Sequence, residues 1–512
     1  MGLNAFDLLL IAGYLIGITA FGLRFRKKQR SLRDYFLADR NVPWWAISLS
    51  IVAAETSTLT IVSIPGLAFD TNLAFLQVVF GYLVARIIIS LIFIPQYFRG
   101  ELFTAYQLID RRFGPRLRSL TAGLFLITRA AAEGVRVFAV AIVVRIALGS
   151  LLSGVHGATA DIISIAIVTA LTLIYTFEGG MTAVIWTDVV QMAIYVGGTL
   201  IGFFTLLHLV PGGWTTISEV GHHAGKFRIF DYSLDFTRAY TFWAGLIGGT
   251  FLTTASHGTD QLMVQRLLAA RSERESKLAL LSSGVAILFQ FSLFLIVGVM
   301  LFVYYHSVQP STIFTSSDRI FPTFIVDKMP HGISGLLIAA ILAAAMSNLS
   351  AALNSLSSTS ILDFYLRNKK DVSEKRRMFL SRAATIGWGL VLFGLAILSR
   401  GGGRVVEVGL AIASVAYGAL LGVFLLGTLT KRANEIGAMT GMALGFALNL
   451  FIWLRPLPHW VLQTLQHITG QVQTGDKLAW TWYVMLGSGV TFGVGYLVSL
   501  FTPQTSTGNP QA

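Results

Sequence analysis

Apolar residues run through this chain in long blocks, and the polar residues between them are mostly confined to short stretches. About thirteen blocks can be marked, with approximate limits 4–23, 44–69, 73–96, 119–148, 159–178, 183–208, 242–265, 278–305, 332–364, 384–399, 405–429, 435–454 and 480–501. Most hold roughly twenty or more residues, the length an α-helix needs to cross a bilayer. The pattern predicts an all-α polytopic membrane protein of about thirteen transmembrane helices, with the lipid bilayer as its main partner.

The second block is the least regular. It contains Ala53-Ala54-Glu55-Thr56-Ser57-Thr58-Leu59-Thr60, with Pro65-Gly66 following. A carboxylate near the middle of a span costs several kcal/mol unless it is paired, solvated or neutralised. Hydroxyls and loosened carbonyls at that depth belong where they line a cavity or bind something. An interrupted helix holding an ion and a solute is therefore expected here. Breaks are also expected in the seventh block, within Gly248–Gln261, and in the ninth, within Ala343–Ser355. The second and seventh blocks open two successive sets of five, and an odd set length makes the sets face opposite ways. Paired broken helices in matching positions point to an inverted-repeat transporter.

Composition supports this picture. Of 512 residues, 54% are hydrophobic and 12% charged, with mean hydropathy +0.69. A soluble domain carries roughly twice that charged fraction. With no cysteine, disulfides, thiolate metal sites and cysteine nucleophiles are excluded. The net charge of +13 raises the question of nucleic acid, but the basic residues lie mostly in loops between spans. Loops after odd-numbered spans hold about 25 Lys and Arg, against about 9 after even-numbered ones. That bias sets topology rather than a nucleic-acid face. It puts the N-terminus outside and the tail Thr502–Ala512 in the cytoplasm, as expected of a bacterial inner-membrane protein. The basic loops Arg24–Arg40 and Arg367–Arg382 are then topology signals at the inner face. No basic residue precedes the first span and no small-residue cleavage site follows it, so that span is expected to be retained. Gly2 is not expected to be lipidated, since the sixth residue is Phe6.

Four arginines, Arg86, Arg129, Arg136 and Arg145, fall inside spans. Arg129, Glu133 and Arg136 share one helical face by their spacing and must point into the bundle. Two readings stand side by side: Arg136 grips a solute carboxylate while Glu133 holds the other arginine, or the three form a self-neutralising ladder. The His222-His223 pair in the outer loop lacks further ligands for a metal. No phosphate-binding G-x-x-x-x-G-K-[ST] loop occurs, which disfavours a transport ATPase, and no nucleophile–base pair suggests an enzyme.

One motif is more specific. Tyr175-Thr176-Phe177-Glu178-Gly179-Gly180-Met181-Thr182-Ala183 continues into Val184-Ile185-Trp186-Thr187-Asp188-Val189-Val190-Gln191. With Pro43-Trp44-Trp45-Ala46 and Gln265-Arg266-Leu267-Leu268-Ala269-Ala270, it makes nearly the whole chain resemble the sodium:solute symporter family. That family includes proline permeases, sodium/glucose cotransporters and sialic acid transporters. The resemblance implies a core of two inverted five-helix repeats with extra helices at both ends. The expected division is 1–40 for the first helix and its loop, 41–208 and 239–430 for the repeats, and 431–512 for two further helices and the tail.

By the same resemblance, a principal sodium site falls on the carbonyls of Ala53, Thr56 and Ala344 with the side chains of Ser347 and Asn348. Asn348 departs from the family's usual hydroxyl, although its amide oxygen can ligate. A second sodium site at Asp188 with Ser347 and Ser350 is implied only in part, because Ala351 replaces another hydroxyl. Glu55 stands where proline permeases carry an acid. It is a candidate for attracting sodium, meeting a solute ammonium or taking up a proton. Thr253, Ser256, His257 and Asp260 match the part of the seventh span that meets the solute in relatives. Thr60, Gln77 and Tyr82 are expected to face them. The amide-and-lysine cage of a sugar carrier is not apparent, which favours a carboxylate or amino-acid-like solute.

The expected function is sodium-coupled import of a small polar organic solute, with sodium as the coupling ion, no other cofactor and no obligate protein partner. Proton coupling through Glu55 and a transporter-like solute sensor are the rival readings.

Overall fold

A computed structural model of the chain describes every residue except 1–2, 27–40, 100–104, 150–151, 153, 176–180, 366–372, 402 and 504–512. The Thr176–Gly180 part of the signature motif and most of the two basic loops lie outside the described residues. Without water, backbone N–H and C=O groups must be satisfied within each segment. Accordingly, the described residues form helices and no strand, apart from one bridge between Val42 and Ala270.

The helices, in order, are α1 (Ala5–Arg26), α2 (Trp44–Glu55), α3 (Thr58–Asp70), α4 (Leu76–Phe98), α5 (Ala105–Phe113), α6 (Pro115–Ala147) and α7 (Gly157–Tyr175). Then come α8 (Met181–Leu209), α9 (Trp214–His223), α10 (Gly249–Gly258) with a π-helical turn Ala244–Gly248 before it, α11 (Gln261–Leu268) and α12 (Glu273–Val303). The rest are α13 (Ile320–Lys328), α14 (Ile333–Ser358), α15 (Glu374–Leu398), α16 (Val405–Leu429), α17 (Glu435–Leu454), α18 (His459–Thr469) and α19 (Tyr483–Phe501). Helical structure occupies each of the intervals marked in the sequence. Among the described residues nine helices are long and apolar enough to cross a membrane, or ten if α2 and α3 count as one bent span.

Two predicted breaks are present and one is not. The axis bends by 63° between α2 and α3. The seventh interval breaks at Thr259–Asp260, between α10 and α11. The ninth does not break where expected. α14 runs as regular helix through Ala344, Ser347 and Asn348 to Ser358, and only then widens into a π-helical turn, Thr359–Tyr365. The run Ala343-Ala344-Ala345-Met346 consists of strong helix formers. Serines further along the helix return their hydroxyls to its own backbone, as Ser358 does to the Ser355 carbonyl at 3.1 Å, a habit compatible with an unbroken ladder.

Close approach of helices fixes the centre. At Gly81 on α4 an added Cβ would lie 2.6 Å from the Leu246 carbonyl oxygen and 2.7 Å from that of Gly245. At Gly245 it would lie 2.7 Å from the Gln77 backbone. Backbone therefore meets backbone between α4 and the turn leading into α10, the use of small residues expected in membrane helix packing. The loop between α9 and α10 is tied down by Asp235, which accepts from Thr237 N–H (2.9 Å) and from the Thr474 N–H and hydroxyl (3.0 and 2.6 Å). Burial alone would raise its pKa, but these donors, which favour the ionised form, hold it below the ordinary carboxylate value.

Candidate functional site

The helical ladder of α2 ends where Thr56 N–H donates to the Val52 carbonyl at 2.8 Å. It restarts with Thr60 N–H and Ile61 N–H donating to Ser57 at 2.9 and 3.2 Å. The carbonyls of Ala53, Ala54 and Thr56 fall in the gap between the two ladders. The Glu55 carbonyl is taken by the Thr60 hydroxyl at 3.1 Å. Thr56 is fully buried, and its hydroxyl donates to Gln290 Oε1 at 2.9 Å. Gln290 Nε2 is left buried without a partner. Released oxygens in a low-dielectric setting are what a hard monovalent cation requires.

Beside this break lies a cavity of about 780 Å³. Glu55, Ser57 and Thr60 line it from the break, and Ser347, Asn348 and Ser350 from α14. Tyr82, Glu133, Arg136, Thr253, Ser256, His257 and Asp260, all singled out in the sequence, also line it. Ala53, Thr56 and Ala344 are buried beside those lining residues. Because α14 is unbroken, the Ala344 carbonyl keeps its place in the helical ladder. Only its second lone pair is free for another partner.

Several side chains sit differently from expectation. Gln77 does not face the cavity. It is fully buried on the other side of α4, donating to the Ala74 and Tyr240 carbonyls (3.1 and 3.0 Å) and accepting from Asp231 N–H (3.0 Å). Its amide is thus used in anchoring the loop before α10. Asp188 is not open toward Ser350. It accepts from Ser50 (2.5 Å) and Arg266 (3.0 Å), and Arg266 also donates to Ser50 (2.9 Å). A guanidinium already neutralises this carboxylate, so the second sodium site at Asp188 and Ser350 does not fit this arrangement.

Glu55 is also engaged. Arg86, fully buried on α4, donates to it, and also to Ser283 Oγ and the Tyr82 carbonyl, each at 3.1 Å. His257 Nε2 lies 3.4 Å from the same carboxylate, and its Nδ1 is 2.8 Å from Ser256 Oγ. Arg86, like Arg145, has no role that the sequence alone assigns. The available signal was energetic: a lone arginine and a lone glutamate in neighbouring spans each need a partner.

On α6, Glu133 Oε1 accepts from Arg136 (2.6 Å) and forms an ion pair with Arg129 (2.9 Å), so the ladder exists. The Nε atoms of both arginines and Glu133 Oε2 are buried without partners. Arg129 also reaches Asp260 at 3.8 Å, and Tyr417 donates to that carboxylate at 3.0 Å. Asp260 in turn caps α11 through Leu262 N–H at 2.9 Å.

The cavity reaches Val406 at one end and Ser358 and Arg382 at the other. Near Val406, polar contacts join α3, the loop before α10, the turn before α13 and the start of α16. Arg404 pairs with Asp70 (2.9 Å), Tyr240 donates to Glu407 (2.6 Å), and Asp318 accepts from Ser63 (2.6 Å) and Val405 N–H (3.0 Å). At the other end Asn354, Ser358 and Arg382 are exposed and mark the mouth.

Comparison with known proteins places this arrangement. The model of the sodium:solute symporter family matches residues 35–445. The sodium/sialic acid symporter SiaT of Proteus mirabilis is 30% identical over 440 residues, covering 84% of this chain and 86% of that protein. The human sodium/iodide cotransporter is 27% identical over 456 residues, 88% of this chain and 69% of that one. Human sodium-coupled monocarboxylate transporter 1 is 26% identical over 476 residues, 91% and 76% of the two chains. Among solved structures, a substrate-bound, outward-open Na+-coupled sialic acid symporter superposes with a TM-score of 0.78 at 27% identity, covering 98% of this chain and 99% of that one. A nucleobase-cation-symport-1 family transporter in a closed conformation shares the fold, with a TM-score of 0.52 at 12% identity and coverage of 92% and 96%.

Proposed function

This chain belongs to the sodium:solute symporter family, and from that premise we propose that it couples sodium entry to uptake of a small organic anion carrying one carboxylate. The observation that carries the reading is the shared cavity. Glu55 and Ser57 at the helix break, Ser347 and Asn348 on α14, and Arg136 with its unpartnered Nε all border one space. Arg136 is the group offered to the solute carboxylate, a planar fork suited to two parallel hydrogen bonds. Glu133 shares its charge between two arginines, so the ladder and the solute site are one structure: the solute exchanges for part of an existing ion pair. Sialic acid, monocarboxylates and iodide are the cargoes named for the relatives, and all are anions.

Sodium takes the carbonyls of Ala53, Thr56 and Ala344 with Ser347 and Asn348. Glu55, held by Arg86 and His257, serves as a fixed anion near that site rather than as a proton carrier or a seat for an ammonium. Thr60, Tyr82, Thr253, Ser256 and His257 form the rest of the solute's surroundings, and Asp260 orients the inner end through Arg129 and Tyr417.

The thirteen helical intervals form thirteen spans. Residues 41–208 and 239–430 are two inverted repeats, flanked by 1–40 and 431–512. The N-terminus faces outward and the tail inward in a bacterial inner membrane. With the basic loops inside, the mouth at Ser358 and Arg382 opens to the cytoplasm. The contacts at Val406 close the outside, so the conformation is inward-open.

Uptake of labelled lactate into proteoliposomes tests the reading. We expect uptake to need an inward sodium gradient and to stop when choline replaces sodium. Ser347→Ala should raise the half-saturating sodium concentration by about tenfold, the loss of one ligand hydrogen-bonding group. Lactate uptake indifferent to sodium, or an unchanged sodium titration in the variant, would remove the coupling or that ligand respectively.

A further inference from the structure

A second cluster of charge sits at the other end of the bundle from the cavity mouth. Asp161, one turn into α7, faces three arginines: Arg145 at the end of α6, Arg319 just before α13, and Arg400 just after α15. Arg382, near the start of α15, marks the cavity mouth, so Arg400 beyond the end of the same helix lies at the opposite face. All four side chains are largely buried, between 15% and 27% exposed.

The donors far outnumber the acceptors. Arg145 donates to Asp161 and, at 2.9 Å, to the Gly157 carbonyl. Arg319 reaches the same carboxylate only at 3.5 Å. Arg400 Nε is 3.5 Å from the other oxygen, and among the described residues it is buried with no hydrogen-bond partner. Each guanidinium carries five N–H donors, whereas one carboxylate offers about four lone pairs. Asp161 is shared by three guanidinium charges, and the neighbouring Asp318, which also acts on Arg319, still leaves the cluster with more positive than negative charge at a half-desolvated place. Burial and the like charge of Arg145 push the Arg319 guanidinium below its usual pKa, against the opposing pull of Asp161 and Asp318. A pure structural staple needs one arginine; the other two are held close against their mutual repulsion.

We propose that Arg145, Arg319 and Arg400 form an external anion-binding site, separate from the transport cavity, that takes a small carboxylate or inorganic anion between the guanidiniums beside Asp161. The site is adjacent in sequence to the outer closure, since Arg319 follows Asp318 and Arg400 lies four residues before Arg404. The excess positive charge of the cluster raises the local concentration of anionic cargo at the outer entrance, the effect expected of a positive patch with low-dielectric walls. That last step rests on the anionic-cargo reading above; the site itself does not.

The test uses the purified full chain in dodecyl maltoside, which carries no phosphate, in sodium-free choline buffer. A bulky sulfonate is replaced stepwise by chloride or by lactate at constant ionic strength while the melting midpoint is followed. The wild type should show a saturable rise. Arg319→Gln and Arg400→Gln should each raise the half-saturating anion concentration about tenfold, and Lys277→Gln, which removes a charge paired with Glu273 on α12, should leave it unchanged. Two independent variants guard against one failing to fold, and their midpoints in sulfonate alone report that. A response to chloride alone marks an inorganic-anion site, and one to lactate a cargo-collecting site; either supports the proposal. No saturable rise with either anion, or a rise that both cluster variants keep, overturns it. If the anion response holds while lactate uptake is absent, the cargo reading fails and the site stands.

Discussion

The pair formed by Arg86 and Glu55 shows what a single residue decides here. Both side chains are almost fully buried, 1% and 10% exposed, and each is the other's main compensation. Removing one partner of a buried pair leaves an unpaired charge and costs about 3–5 kcal/mol, whereas removing both costs much less. Arg86→Gln should therefore destabilise the protein by about that amount, and Arg86→Gln combined with Glu55→Gln should recover most of it. Chemical or thermal unfolding in detergent, arranged as a double-mutant cycle, measures the coupling. Additive losses in the double variant would show that the two charges do not depend on each other. The pairing also explains why Glu55 drew attention in the sequence for the right reason and toward an incomplete set of partners. Its cost at membrane depth was readable from its neighbours. The guanidinium that meets that cost lies 31 residues away on another helix, and spacing along the chain does not reveal which spans touch.

At the scale of elements, helix contact is set by residues that have no side chain to offer. Gly81 lets α4 lie against the turn Ala244–Gly248, with Leu246 and Gly245 carbonyls where a Cβ would go. Gly81→Ala must push the two segments apart, and a destabilisation of about 1–3 kcal/mol is expected, read as a lowered melting midpoint. Gly197→Ala on α8 is the matched control: nothing lies within 4 Å of its added Cβ, and its helix gains propensity. Equal effects of the two substitutions would show that close packing at Gly81 is not what sets the loss. Elements also show where local sequence misled. A run of small and hydroxyl residues reads alike whether the helix breaks or continues. In α2 and α3 a charged group sits amid the hydroxyls, and Arg86 and Gln290 supply fixed partners around the gap. In α14 the alanines before Ser347 hold the ladder, so the helix survives.

For the molecule as a whole, the question is which end of the cavity is closed. Asp70, Arg404, Glu407 and Tyr240 join α3, α16 and the loop before α10 at one end. Arg404 is 25% exposed and Asp70 38%, so their pair is worth only about 0.5–1 kcal/mol. That amount still biases a two-state equilibrium. Asp70→Asn should raise the population open at this end by about two- to fivefold. The chain's lack of cysteine makes the measurement direct. With Val406→Cys as reporter, labelling by an impermeant thiol reagent added outside should speed up by that factor when Asp70→Asn is added. Unchanged labelling would mean that the pair does not hold the closure.

Helix positions, membrane residence and the break at Glu55 were determined by the sequence alone, because each follows from local cost; the cavity's polar lining on α10 and α14 was legible only through resemblance to a family. Twenty apolar residues must cross lipid, and a carboxylate among them must be answered. The answering groups were settled only by tertiary structure. Packing decided that Arg86 meets Glu55, that Arg266 takes Asp188 away from a cation, that Gln77 turns toward the loop before α10, and that three arginines converge on Asp161. Electrostatic energy depends on distance across the bundle, and the order of residues along the chain does not contain that distance.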